Sequence, residues 1–152
     1  SDKIMSKIKN LLAGLGGAIA LNIIHESLKK KGSDMPRVDL VGEEALQKSL
    51  NYLGTSIDDD ATLYNATLAG DVVSNALYYS LIGGGSYKHI WTRAIFYGLS
   101  GGIGAVTLPE PLGLDPEPVT KSQKTKALTV GYYLAGALVT GAILKAITKE
   151  EE

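Results

Sequence analysis

Between Lys126 and Lys145 the chain runs through residues 127–144 without a charge, with Gly131, Gly136 and Gly141 at five-residue intervals. A bilayer core about 30 Å thick takes roughly 20 helical residues, so the length of this stretch makes it a candidate membrane span. Three other segments are apolar with helical spacing. Residues 8–28 hold Leu11, Leu12, Leu15, Ile19 and Ile23 and end on Lys29, Lys30, Lys31 and Gly32. Those lysines suit the negative end of a helix dipole, and Gly32 is placed for a left-handed terminator. Residues 61–82 carry one charge, Asp71, near the middle, and stop at Gly83-Gly84-Gly85; residues 90–108 carry Arg93 one turn inside, with Trp91 and Tyr97 nearby.

The connecting regions read differently. Val41, Ala45, Leu46, Leu50 and Leu53 fall on one face of a helix at 41–53, which is amphipathic and too short to span. Such a helix lies in the interface or caps a bundle. Asp58, Asp59 and Asp60 offer an N-cap to the next helix. Pro109, Pro111, Pro116 and Pro118 speak against a regular helix in the loop before the last segment. The prediction is a single all-α domain over 1–152: a four-helix transmembrane bundle plus one short amphipathic interfacial helix, with helices at 8–28, 41–53, 61–82, 90–108 and 127–146. The tail 149–152 is expected to be solvated.

Composition sharpens this picture. The chain is 45% hydrophobic and 20% charged, with 18 glycines. Glycine in a soluble helix costs about 1 kcal/mol against alanine, so glycines inside apolar helices call for a packing reason, and close-packed membrane helices supply one. Gly98 and Gly102 have the spacing of such a contact. A soluble helical bundle is the alternative, since a central helix can be apolar all round; against it, each helix of a soluble four-helix bundle normally keeps a polar face. Lys3, Lys7 and Lys9 before an apolar run imitate a secretory signal, but no small-x-small cleavage site follows, and an uncleaved first helix is expected. Lysine and arginine divide almost evenly between the two sides of a four-span bundle, so they do not set its orientation.

Ala13-Gly14-Leu15-Gly16-Gly17-Ala18 leading into His25-Glu26, then Pro36-Arg37-Val38-Asp39-Leu40-Val41-Gly42, and Pro111-Leu112-Gly113-Leu114 before a final Gly/Ala-rich helix form a combination that covers most of the chain. It resembles a group of uncharacterised small bacterial polytopic membrane proteins of unknown function. The resemblance supports the membrane reading and transfers no activity. The expected location is the bacterial inner (plasma) membrane, with both termini assigned to the cytoplasm.

Candidate chemistry concentrates where the apolar pattern breaks. A carboxylate at mid-span costs about 2.5 to 3.5 kcal/mol to insert, so Asp71 is expected to face the interior and find a partner; Asn75 one turn on and Asn22 on the first helix complete a polar seam. That seam is either an ion or proton pathway or hydrogen-bonded glue between helices. His25 can pair with Asp39 or Asp71 as a pH-sensitive latch, or simply bond a neighbouring carbonyl or carboxylate. Arg37 and Asp39 are spaced for an ion pair that pins the second helix against the first. Arg93 can snorkel toward headgroups.

Several chemistries lack their residues. Net charge is −1, which gives no electrostatic case for nucleic acid, and no cysteine is present for thiolate chemistry or disulfides. His25-Glu26 has no second histidine one turn on, as a zinc protease requires; Gly83-Gly84-Gly85-Ser86 lacks the ending of a phosphate loop; and no serine sits in a nucleophile elbow. Asp58-Asp59-Asp60 lacks the alternating ligands of a calcium loop. No metal and no cofactor are expected. The partners are the lipid bilayer and either a further copy of the chain or another membrane protein. The function classes, in order, are a structural or accessory membrane protein, a transporter or channel subunit built around Asp71, and a lipid-modifying enzyme using His25, Glu26, Arg37 and Asp39.

Overall fold

The computed structural model describes residues 2–148. They form α1 (Asp2–Leu28), α2 (Val38–Tyr52), α3 (Asp60–Ser80), α4 (Ile90–Thr107), α5 (Glu117–Thr120) and α6 (Gln123–Ile147), with 3-10 turns at Leu81–Gly83 and Tyr87–His89 and no strand among the described residues. The long helices run up and down in the spatial order α3, α1, α6, α4, while α2 lies across α3 and against α5.

Small residues set that order. On α1, Ala13, Gly14, Gly17 and Ala18 are buried; a Cβ at Gly14 would lie 2.8 Å from the Ser80 backbone nitrogen, and one at Gly17 would collide with Thr140 and the Gly136 carbonyl of α6. On α4, a Cβ at Gly102 would sit 2.5 Å from the Val130 Cα, and one at Gly98 2.9 Å from the Leu134 Cα. The expected Gly98/Gly102 contact is therefore a crossing of α4 on α6. Where backbones stand farther apart, tyrosines bridge them. Tyr78 Oη donates to the Tyr97 carbonyl at 2.7 Å and Tyr79 Oη to the Tyr133 carbonyl at 2.8 Å, so a large ring fills the gap and its polar end is satisfied.

Many large aliphatic side chains point the other way, while Leu21, Ile82, Ile90 and Leu144 fill the core. Leu11, Leu15, Ile19 and Ile23 on α1, Val73 and Leu77 on α3, and Trp91, Ile95, Leu99 and Ile103 on α4 are exposed, each set at helical spacing. Two helices, α1 and α6, are long and apolar enough to cross a membrane.

Four sequence expectations are corrected. First, α1 starts at Asp2, not at residue 8, because nothing in the lysine-rich lead breaks a helix. Second, α6 starts at Gln123, not at residue 127, because Ser122 caps it by accepting from Thr125 N at 3.1 Å. In both cases the apolar pattern marks the stretch of apolar side chains rather than the helix end. Third, the proline loop holds the short α5, whose prolines fall at its cap and first turn, where no backbone N–H is needed. Fourth, Gly32 is not a left-handed terminator; that conformation occurs at Gly54, just past α2, and at Gly113. The N-cap expectation for α3 holds at Asp59, which accepts from Thr62 N at 2.9 Å. The tail 149–152 lies outside the described residues.

Candidate functional site

The polar residues gather where α1 ends, α2 begins and the first half of α3 passes. His25 and Asp39 are both buried, each 6% exposed. Asp39 occupies the first turn of α2, where a helix dipole favours a carboxylate. Arg37, just before the helix, grips it with two parallel bonds, Nε to Oδ1 at 3.0 Å and Nη2 to Oδ2 at 2.8 Å, the fork-on-carboxylate geometry that makes such pairs strong. Burial works against ionisation of Asp39, but hydrogen bonds from His25 and Arg37 outweigh it and hold the carboxyl well below the usual carboxylate range.

Both ring nitrogens of His25 are engaged. Nδ1 lies 3.0 Å from Glu26 Oε2, and Nε2 lies 3.1 Å from the Val38 N–H and 3.3 Å from Asp39 Oδ1. A neutral ring accepts from Val38; a protonated ring donates to Asp39. The other oxygen of Glu26 accepts from Lys29 Nζ at 2.9 Å and from the Tyr64 hydroxyl of α3, and Lys29 also reaches Tyr64 Oη at 3.1 Å. The network ties α1, α2 and α3 at one end of the bundle. The expected Arg37–Asp39 pair is thus extended by His25 into a link from α2 to α1. In the sequence, Lys29 has a helix-end role and, through its i,i+3 spacing from Glu26, a sign of this pairing, whereas nothing there points to Tyr64.

Asp71 behaves differently. It shares a cavity of about 30 Å³ with Asn22, His25, Glu26, Asp39 and Asn75, room for a water or two. The three residues of the predicted seam, Asp71, Asn75 and Asn22, meet there with His25, Glu26 and Asp39, while Arg37 of the candidate polar residues stands behind Asp39. Asp71 makes no hydrogen bond with any described residue. On its other side opens a cleft of about 430 Å³ between α2, α3, α4 and the proline loop, walled by Val41, Ala45, Ala105, Leu108, Leu112 and Leu114, with Asp71, Asn75 and Tyr78 on the inner wall. Gly42 admits the carboxylate, since a Cβ there would lie 3.3 Å from both Asp71 oxygens. Two links from α2 hold the loop over the cleft: Lys48 Nζ donates to the Gly113 carbonyl at 2.5 Å, and Asp115 N donates to Glu44 Oε1 at 2.7 Å. No pattern in the sequence announced this cleft, because its walls come from segments spread from α2 to α6.

Among the described residues no group of three or more histidine or acidic side chains is arranged to hold a metal ion. Comparison of the chain with family models, with curated proteins and with solved structures gives no match.

Proposed function

We propose that the chain is a four-span membrane protein that carries a small, largely apolar cation, held in the α2/α3/α4 cleft with its charge against Asp71. The membrane part is supported by the inside-out distribution of size: glycine, alanine and threonine fill the helix contacts while leucine, isoleucine and tryptophan face outward on α1 and α4. Hydrophobic burial in water would reverse that arrangement, and lipid rewards it. On this view α3 and α4 cross as well, sheltering their polar groups on the inner side.

The single observation that carries the carrier function is the unpartnered carboxylate. Glu26 and Asp39 are neutralised by neighbours within the protein, whereas Asp71 has none and opens on an apolar cleft. An intramembrane carboxylate of that kind suits exchange between a proton and a cationic ligand. The small cavity behind it supports a water contact toward His25, and so a route for the proton. Tetraphenylphosphonium is the probe. The protein in liposomes should bind it in competition with protons and release protons on binding, and Asp71→Asn should abolish both; equal binding by Asp71→Asn would sink the proposal.

A structural, accessory role is the second possibility, and the complete internal pairing of His25, Glu26, Arg37 and Asp39 favours it for those four residues. With both His25 nitrogens engaged, they serve better as a clamp than as the acid–base pair of a lipid-modifying enzyme.

A further inference from the structure

The opposite end of the bundle holds a second cavity, of about 540 Å³, where the start of α1, the end of α3, the start of α4 and the end of α6 converge. Its chemistry is the reverse of the Asp71 cleft. Lys9 and Arg93 supply positive charge, Ser6, Asn10 and Thr148 supply polar groups, and no carboxylate is among the described lining residues. Lys145, nearby, is already engaged: its Nζ donates to the Tyr87 carbonyl at 3.0 Å and lies 3.9 Å over the Tyr87 ring.

Arg93 is the telling group. Its Nε donates to the Ile82 carbonyl at 2.7 Å, which fixes the guanidinium, while Nη2 is buried and has no partner among the described residues. A buried donor without an acceptor is costly, and a guanidinium cannot shed its charge. Space is kept for it by Gly85, where a Cβ would stand 2.6 Å from Arg93 Nη1. A fixed guanidinium with donors to spare, beside a lysine and with hydroxyl and amide groups around it, matches an acceptor-rich anion such as a phosphate group.

We infer that this cavity is a binding site for a phosphate mono- or diester, recognised by Arg93 and Lys9. The site is separate from the Asp71 cleft and does not depend on its function. A lipid headgroup and a free phosphate share the recognised chemistry. The location favours the lipid: Trp91, exposed beside Arg93 in sequence, marks the level at which aromatic side chains meet headgroups.

The test uses the full chain in dodecyl maltoside, with calorimetric titration of dihexanoyl phosphatidic acid, dihexanoyl phosphatidylcholine and inorganic phosphate. Saturable binding of the phosphatidic acid is expected, with at least ten-fold weakening in Arg93→Gln and in Lys9→Gln, and no change in Lys88→Gln, an exposed lysine outside the cavity. Binding of a lipid alone assigns the headgroup; binding of inorganic phosphate alone assigns a soluble phosphate. Lys9→Gln decides the matter by itself if Arg93→Gln fails to fold. No saturable binding by any probe, or equal loss in Lys88→Gln, overturns the site.

Discussion

The two halves of the bundle are built on opposite principles. Where α1, α6 and α4 meet, glycines bring backbones together: Gly17 lies against Gly136, and Gly102 against Val130. Where the end of α1, the start of α2 and the first half of α3 meet, the contacts are charged and hydrogen-bonded, through His25, Asp39, Arg37, Glu26, Lys29 and Tyr64. Along the glycine seam the backbones leave no room for larger side chains, and the cavity around Arg93 opens only at its end. The second half leaves gaps, and Asp71, which has no hydrogen-bond partner among the described residues, lies between them.

The difference can be broken most severely on the close-packed side. Gly17→Val should cost more than about 3 kcal/mol, because the obstacle is backbone and the Thr140 side chain rather than the end of a flexible chain; loss of a cooperative transition in detergent unfolding followed by circular dichroism is the expected result. Next is Asp39→Ala. It removes the buried carboxylate that Arg37 grips and that lies beside His25 Nε2, and a loss of about 3 kcal/mol is expected from removing one member of a buried pair. The Gly17 lesion should be the larger, and the reverse order would mean that the polar corner rather than the glycine seam holds the helices together.

Acid titration sharpens the comparison further. Since Asp39 ionises more readily in the folded chain than in the unfolded one, its stabilisation is complete above about pH 5 and declines as pH falls below about 4. Unfolding midpoints measured from pH 7 to pH 2 should show that acid limb, and Asp39→Asn should flatten it. A smaller effect, about 1 kcal/mol, is expected for Tyr79→Phe, which deletes one bond to the Tyr133 carbonyl while keeping the ring in place. Least of all should be the stability change in Asp71→Asn, within about 0.5 kcal/mol, measured in the same unfolding assay. A large loss there would mean that Asp71 is structural glue and not a ligand site.

Much of the helical framework was legible in the order of residues. Charge-free runs and glycine clusters located all four long helices and the amphipathic α2, and Asp58-Asp59-Asp60 announced the cap of α3. Helix ends were less legible, since Lys7 and Lys124 lie inside helices while standing outside the apolar runs. Periodicity reports which residues avoid water, and helical hydrogen bonding continues past that boundary for as long as nothing breaks it. Of the polar cluster, the residue types were recognisable as misfits in apolar surroundings, and Arg37 with Asp39 was recognisable as a pair. The role of Tyr64 was not, because a tyrosine near the start of a helix carries no sign of what it will meet 38 positions away.

The sequence by itself determined an all-helical chain, the helices with apolar faces, and the handful of charges that must find shelter, because those follow from local periodicity and from the cost of placing charge among apolar groups. Tertiary structure alone decided that α1 stands between α3 and α6, that Asp39 takes His25 and leaves Asp71 without a bond, and that segments spread from α2 to α6 enclose a cleft beside it. Those outcomes depend on which surfaces meet. That choice is made by glycine-sized clearances between helices far apart in the chain, a property of pairs of segments that no single segment carries.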